Sequence, residues 1–212
     1  MKNKELIINE MNKRKIEYFV HFTDVRNIPS ILAYGLLTRD TLNYYNMDYS
    51  FNDDNRIDNI SNSISLSVSF PNYKMFYLIT LKYPTRDYCV FFLDAFEVIK
   101  YDCIFNKTNA ASNLCRSLTI EERMTFAAFN SMFADSSQER SRDNMKLASY
   151  ETTDPQAEIL VKHNLPVSCI KYCFFKNSNI LNQYKNLFIN TGIESWYNGN
   201  YFFGRHDYEY WR

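Results

Sequence analysis

Glycine is scarce in this sequence, and its scarcity excludes one common kind of nucleotide site. Only four glycines occur in 212 residues. Neither GxGxxG nor GxxxxGKS/T can therefore be drawn on the chain, and these are the loops whose backbone amides hold phosphate groups. A nucleotide, if one binds, must be held by side chains and by ordinary loops.

An excess of charge of one sign is also missing. The chain has 24 basic and 24 acidic residues, so its formal net charge is zero. The sequence as a whole therefore lacks the basic character typical of nucleic-acid-binding domains. A local basic patch remains open, and the 17 tyrosines and 17 phenylalanines offer rings on which single-stranded bases could stack.

Motifs of metal and serine chemistry are missing as well. The three histidines, His21, His163 and His206, form neither HExxH nor a Cys/His zinc spacing. GxSxG, the nucleophile motif of many hydrolases, does not occur either. We therefore expect no bound metal, and nothing in the spacing proposes a serine or cysteine nucleophile.

The cysteines and the hydropathy of the sequence limit where in the cell the protein can be expected. The five cysteines are odd in number and form no CxxC pair, which favours free thiols in a reducing cytosol. The first residues are charged and amphipathic, unlike a signal peptide. No apolar run approaches the roughly twenty residues needed to cross a bilayer. We predict a cytoplasmic protein that does not associate with membranes.

What the chain has in quantity is hydrophobic and aromatic residues, 46% and 17% of the sequence. This composition and length predict a single folded domain over residues 1–212, which we expect to be a monomer. Apolar runs predict strands at 17–23, 64–70, 159–161 and 169–175, and a buried strand within 87–99. Helical spacing predicts helices at 4–15, 26–39, 119–132 and 179–192. The aromatic tail 194–212 predicts a terminal hairpin or strand, and the fold class is α+β.

Three polar residues stand out against this background. His21 lies in an apolar strand, Arg56 follows "NDDN" in the polar stretch 42–63, and Glu158 begins an apolar strand. Each has an ordinary explanation as well: a core histidine, half of a surface ion pair, and a solvated strand end. A second polar stretch, 134–155, leads towards Glu158, and long loops on a small domain are often functional.

Several segments together resemble one enzyme family. "YFVHFTDVRNIPSILAYGLLTRD" is similar to the opening of the DarT-type DNA ADP-ribosyltransferases, with its strand bearing His-x-Thr, its Asn and its helix ending in Gly-Leu. "NDDNRIDNISNSISLSVSFPNYKMFY" resembles that family's arginine-bearing loop and next strand, and "TTDPQAEILVKHNLP" resembles its catalytic stretch. The match runs in order from about residue 17 to 168. "NKTNAAS" is closer to a guanine-modifying branch than to the thymine-modifying one.

The resemblance implies both a fold and an activity. It implies an ADP-ribosyltransferase-like split, bent β-sheet with an NAD+ cleft and flanking helices. It also implies a toxin that uses NAD+ as co-substrate to modify a nucleobase in single-stranded DNA. An ADP-ribosyl-glycohydrolase antitoxin is the implied partner.

The same resemblance, together with the chemistry of the side chains, suggests roles for individual residues. Glu158 and Arg56 are the expected catalytic residues. The residues expected to contact NAD+ are His21, Thr23, Asn27, Arg56, Phe70 and Tyr73. Arg140 and Arg142, in the second polar stretch, are expected to contact the DNA backbone, although as solvated charges they need no explanation.

Two other kinds of protein remain open on the residues alone. A non-catalytic module could bind single-stranded nucleic acid through its many aromatic rings. A nuclease would need metal-binding carboxylates, for which "NDDN" (52–55) is the only cluster in the sequence. Turnover of NAD+ separates the enzyme from the binding module.

Overall fold

The computed structural model describes residues 2–50, 60 and 62–212, and within them one sheet carries the helices on its two faces. The strands are β1 (Tyr18–Asp24), β2 (Ile64–Val68), β3 (Tyr88–Asp94), β4 (Cys103–Asn106), β5 (Glu158–Val161), β6 (Ile170–Phe175) and β7 (Glu194–Tyr197). The helices are α1 (Lys2–Arg14), α2 (Ile28–Tyr34), α3 (Arg39–Tyr44), α4 (Tyr73–Lys82), α5 (Ala95–Val98), α6 (Asn113–Arg116), α7 (Ile120–Arg123), α8 (Phe126–Ser131) and α9 (Ser178–Tyr184). Short 3-10 turns cover Val25–Asn27, Val167–Cys169, Lys185–Phe188, Gly199–Phe202 and Tyr208–Trp211.

The strand order explains where a cleft can form. The order is β4-β5-β2-β1-β3-β6-β7, and every neighbouring pair is antiparallel except β6 and β7. β1 pairs with β3 along its whole length, from Tyr18 to Asp24. It pairs with β2 only at Phe19 and Val20. Beyond Val20 the two strands separate, so the sheet is split between them.

Side-chain alternation divides the interior between the two faces of the sheet. The larger cluster lies under α1 and α8 and includes Ile7, Met11 and Phe129, each almost fully buried. On the opposite face, Phe76 and Ile79 of α4 pack on a smaller cluster. The sheet is therefore covered on both faces, and the split between β1 and β2 is where polar side chains reach the interior.

The helix predicted at 26–39 is broken at Gly35. This glycine has φ +81°, and a Cβ added to it would lie 2.1 Å from the carbonyl oxygen of Leu165. Leu36 and Leu165 then form a small antiparallel bridge. Thr38 caps a new helix, α3, by accepting a hydrogen bond from the Thr41 amide. Part of the predicted polar loop 42–63 is therefore helical.

Other differences from the prediction follow from caps and from pairing partners. The predicted helix 119–132 is two helices, because Thr125 caps α8 separately. β4 is a strand of only four residues that was not predicted. The aromatic tail does contribute a strand, but β7 pairs in parallel with β6 and not as a hairpin.

All five cysteines are buried with free thiols. Within the described part of the chain, no helix has the length and hydrophobicity needed to span a bilayer.

Candidate active site

A cleft opens where β1 and β2 separate, and it brings together four of the residues predicted for the site. His21, Thr23, Asn27 and Glu158 all line it. The rest of the wall is formed by α2, the start of α3, β2 and the beginning of α4. These segments are far apart in sequence, so the fold is what assembles the group.

Glu158 is held at the cleft by donors to both of its carboxylate oxygens. The hydroxyl of Ser65, on β2, donates to Oε1. The backbone N–H of Ala110, in the loop after β4, donates to Oε2 at 3.0 Å. Because one donor is a backbone group and the other stands on a strand, the carboxylate has a fixed orientation while remaining partly exposed.

Two buried polar residues lie behind Glu158. Asn106 is opposite Glu158 in the β4–β5 pair, and its side-chain amide donates to the Glu158 carbonyl oxygen at 3.2 Å. Arg123, from α7, donates to the Asn106 side-chain oxygen at 2.9 Å. Both are buried, and among the described residues the Arg123 Nε has no hydrogen-bond partner. The start of β5 is therefore fixed by a buried polar chain.

His21 spans the split in the sheet. Its Nδ1 lies 2.9 Å from the carbonyl oxygen of Ser65, at the height where β1 and β2 no longer pair through their backbones. A carbonyl oxygen only accepts, so this contact requires a proton on Nδ1. The ring is partly exposed and lines the cleft. This placement favours a site residue over the alternative of a core histidine.

Thr23 and Asn27 form the other wall. The Asn27 amide nitrogen donates to the Thr23 hydroxyl at 2.8 Å and to the Ser50 carbonyl oxygen at 2.6 Å. In return the Ser50 amide donates to the Asn27 side-chain oxygen at 2.8 Å. Asn27 thus fastens the segment that follows α3 onto β1, and it shapes the cleft as well as lining it.

Asp24 anchors the same wall from beneath. Burial opposes its ionisation, but hydrogen bonds from Arg26 and Ser50 outweigh it and lower the pKa of Asp24 below its usual value. Arg26 makes a fork of two bonds to this carboxylate, at 3.0 and 2.6 Å. The Asp24 carboxylate is therefore bonded to groups of the protein itself, which indicates a structural role.

The structure does not bring every predicted residue to the cleft. Arg56 lies outside the described residues. Phe70 and Tyr73 do not line the cleft: the Phe70 ring lies 5.9 Å from the ring of Tyr201. Burial, and then the charge of Asp207, raise the pKa of Tyr73 well above its usual value.

For Tyr73, the phase of α4 is the reason for this difference. Asn72 caps the helix by accepting from the Met75 amide at 3.1 Å, and residues three apart lie on one face of a helix. Asn72 and Met75 therefore line the cleft, whereas Tyr73 is directed to another side. The contact with NAD+ predicted for Phe70 and Tyr73 therefore has no support from the lining of this cleft.

The two arginines predicted for DNA differ in their surroundings. Arg142 is taken up by its own loop, because its guanidinium donates to the carbonyl oxygens of Glu151 and Ala148 at 2.6 and 2.7 Å. Burial lowers the pKa of Arg142. Arg140 is exposed, with its guanidinium 4.7 Å from the ring centre of Trp211. The geometry thus gives Arg142 a part in holding the loop, and DNA contact by either arginine stays a prediction.

Sequence reasoning missed the residues that hold the predicted ones in place. Ser65 and Ser67 are on one face of β2 and both line the cleft. Their signal was present, since "ISLSVS" puts small polar residues on alternate positions of an apolar strand. Ala110 had no comparable signal, because it acts through its backbone N–H. Across the described ranges, no group of three or more His, Cys, Asp or Glu side chains could hold a metal.

Comparison with known proteins identifies a family and a fold. A family model described as "ssDNA thymidine ADP-ribosyltransferase, DarT" matches residues 20–202. No curated protein matches the sequence significantly. The fold is similar to that of Thermosipho africanus DarTG in complex with ADP-ribose, with a TM-score of 0.62 and 14% identity over 88% of this chain and 51% of that one. This chain thus spans about half of the Thermosipho protein.

Thermus sp. 2.9 DarT gives the same result over nearly its full length. Its complex with NAD+ has a TM-score of 0.53 and 13% identity, covering 88% of this chain and 98% of that one. Its complex with ADP-ribosylated ssDNA has a TM-score of 0.57 and 13% identity, covering 89% and 97%. At these identities the structures show the fold, and they confirm the predicted ADP-ribosyltransferase-like sheet. Because the family model covers more than half of its residues, the chain belongs to the DarT family.

Proposed function

We propose that this protein transfers ADP-ribose from NAD+ to a nucleobase of single-stranded DNA. The observation that carries the proposal is the setting of Glu158, a carboxylate fixed by Ser65 and Ala110 in the cleft that His21, Thr23 and Asn27 also line. The description of the matching family model names an ADP-ribosyltransferase that acts on ssDNA. The Thermus relative is known in complex with NAD+ and with ADP-ribosylated ssDNA.

The residues of the cleft fit the co-substrate by their chemistry. NAD+ offers ribose hydroxyls, a carboxamide and a pyrophosphate, and the chain lacks a glycine-rich loop to hold phosphates. The cleft is lined instead by neutral polar side chains together with His21, Arg39 and Glu158. His21, Thr23 and Asn27 would bind the ribose and amide groups. Arg56 would supply a cation for the pyrophosphate or the acceptor base.

The reaction gives Glu158 two tasks. The bond between the ribose and nicotinamide breaks with its electron pair leaving on nicotinamide, and a bond from the ribose carbon to the base forms. Positive charge develops on the ribose, as at other glycosidic centres, and a fixed carboxylate stabilises it. The proton lost by the attacking base goes to the same carboxylate acting as general base.

The acceptor has to be an unpaired base. In a duplex the reactive edge of a base is engaged in pairing, so enzymes that modify bases act on single strands or extrude the base. Thymidine is the nucleoside named in the description of the family model, while the sequence "NKTNAAS" resembles a guanine-modifying branch. The experiment below decides between them.

We further propose a toxin that acts in the cytoplasm as a monomer and is opposed by an ADP-ribosyl-glycohydrolase antitoxin. Support comes from family membership and from the fold shared with Thermosipho DarTG. The test is growth arrest on induction of the protein, and its relief by a co-expressed glycohydrolase that removes ADP-ribose from DNA. Arrest that Glu158→Gln leaves undiminished would separate toxicity from the transfer reaction.

The test of the activity is direct. Purified protein is incubated with NAD+ and single-stranded oligonucleotides that each carry one of the four bases in a common inert context, and products are read by intact mass. We expect one ADP-ribose on one base, little reaction on the matched duplex, and release of nicotinamide in equal amount. Binding of oligonucleotides without any mass change on any base would instead favour the non-catalytic binding module.

A further inference from the structure

The segment 204–212 lies beyond the part of the chain that the family model matches, yet it contains a buried ion pair. Arg205 and Asp207 are 3% and 1% exposed, and two hydrogen bonds of 2.7 Å join them. The indole N–H of Trp211 donates to the same carboxylate at 3.1 Å. A buried charge pair persists only where geometry and additional hydrogen bonds offset its desolvation. This segment is therefore an ordered part of the fold.

The segment bonds directly to the polar stretch that leads to Glu158. The Arg205 guanidinium donates to the carbonyl oxygen of Thr153 at 3.4 Å. The Tyr210 hydroxyl donates to the carbonyl oxygen of Asn144 at 2.9 Å. Both acceptors are backbone groups, so the contacts fix the path of the chain and not merely the position of a side chain.

Two side-chain contacts add to these. The ring nitrogen Nδ1 of His206 lies 3.6 Å from a carboxylate oxygen of Glu151. The Arg140 guanidinium lies over the ring of Trp211, 4.7 Å from its centre. The segment thus contacts residues 134–157 at points spread along most of their length.

The other end of the segment is attached to α4. The Lys74 ammonium donates to the carbonyl oxygen of Trp211 at 2.8 Å. The Tyr73 hydroxyl is buried, and in the described part of the chain it has no hydrogen-bond partner. The same turn of α4 presents Asn72 and Met75 to the cleft. The segment therefore joins the start of α4 to the residues that precede β5.

We propose that segment 204–212 is a positioning element for Glu158, which holds residues 144–157 in the arrangement that transfer requires. The link to Glu158 is short, because only residues 154–157 separate it from Thr153 and the Ala157 amide donates to the Asp154 carbonyl oxygen at 3.0 Å. A shift of Thr153 is therefore passed to Glu158 through a tight turn. This inference rests on the proposed transfer activity.

The proposal predicts that loss of the segment lowers turnover but not co-substrate binding. None of residues 204–212 lines the cleft, so loss of the segment leaves the NAD+ contacts of His21 and Thr23 in place. Misplacing a reacting group by about 1 Å can cost about a hundredfold in rate. A role in stability alone would instead lower NAD+ binding and transfer together, in proportion to the folded fraction.

The experiment compares three chains with the wild type. The first ends at Gly204, which removes Arg205 and Asp207 together, so that neither is left buried without the other. The second is full-length Trp211→Ala, which keeps the ion pair if the shortened chain fails to fold. The matched control is Arg212→Ala, because Arg212 is exposed and bonds to Glu209 and Tyr208 inside the segment.

Each preparation is measured for amide hydrogen exchange, NAD+ affinity and single-turnover transfer to an oligonucleotide. We expect exchange of residues 144–157 to become at least about tenfold faster, transfer to become at least about tenfold slower, and the Kd for NAD+ to change by less than about threefold. Arg212→Ala should match the wild type in all three.

Other results overturn the proposal. Transfer within about threefold of the wild type in both variants excludes a positioning role. A loss of NAD+ affinity equal to the loss of transfer assigns the segment to stability alone. If the wild type itself transfers nothing, the proposed function fails. The exchange measurement then still decides whether the segment holds residues 144–157, because unchanged exchange removes that claim as well.

Discussion

Replacement of Glu158 by glutamine tests the central assignment with little disturbance of the fold. The Ala110 N–H can only donate, whereas the Ser65 hydroxyl can donate or accept. A glutamine amide therefore fits with its oxygen towards Ala110 and its NH₂ group towards Ser65. We expect Glu158→Gln to fold with a melting temperature close to that of the wild type and to keep most of its affinity for NAD+.

The loss should fall on turnover, because the charge of Glu158 acts on groups that become charged only in the transition state. Removing one fixed electrostatic group from an active site costs on the order of 10²–10³ in rate. General-base assistance contributes about 10²–10⁴. The two effects belong to one carboxylate and are not independent, so we expect a loss of at least about 10³.

The assay is single-turnover transfer to a single-stranded oligonucleotide, with NAD+ affinity measured by calorimetry on the same preparation. Glu121→Gln is the matched control, because Glu121 is an exposed glutamate in the first turn of α7. Transfer by Glu158→Gln within about tenfold of the wild-type rate would remove Glu158 from the mechanism, even if the family assignment stands.

Three further predictions follow from the geometry. His21→Ala should weaken NAD+ binding about tenfold with little change in melting temperature, whereas a core role would lower the melting temperature and leave affinity per folded molecule unchanged. Arg123→Met removes the donor to buried Asn106, so it should lower the free energy of unfolding by about 1–3 kcal/mol and slow transfer. Arg116→Met, at an exposed arginine, is the neutral control. Equal melting curves for the two variants would contradict this prediction. Gly35→Ala should lower the free energy of unfolding by more than about 3 kcal/mol, because a Cβ on Gly35 would lie 2.1 Å from the Leu165 carbonyl oxygen. Gly192→Ala should lower it by only about 1–2 kcal/mol, because a Cβ on Gly192 would have no atom within 4 Å.

The pattern of hydrophobic residues was sufficient to predict most of the sheet. β1, β2, β5 and β6 follow their apolar runs, because strands buried on one or both faces need such runs wherever they occur. β4 was not predicted, because its four residues are all buried and so show no alternation of apolar and polar residues. Its strand character comes from pairing with β5, which local sequence does not display.

The candidate site was predictable only in part, for a physical reason. His21 and Thr23 alternate on one strand, and Glu158 is a carboxylate at the head of an apolar run, so each leaves a local trace. Their partners do not. Ser65 is separated from Glu158 by 93 positions and Ala110 by 48. Such contacts depend on the order of strands in the sheet.

Tyr73 shows the opposite problem, a local signal whose direction is set by the phase of the helix. Tyr73 stands beside the cleft residue Asn72 in the sequence, and aromatic rings commonly stack on bases. The cap at Asn72 nevertheless sets the rotation of α4, so that Asn72 and Met75 share the face towards the cleft. A shift of one residue on a helix turns a side chain by about 100°.

The place of Glu158 at the mouth of a dry strand also has a physical reason. β5 pairs with β2 on one side and with β4 on the other, and Ile159, Leu160 and Val161 are fully buried. A carboxylate at any of those positions would have no access to a substrate and would cost several kcal/mol to desolvate. A carboxylate within the preceding loop would lack a rigid backbone. The first residue of β5 pairs with Asn106 of β4 and directly precedes residues that pair with both neighbouring strands. Its side chain is open to the cleft, as a preorganised group requires.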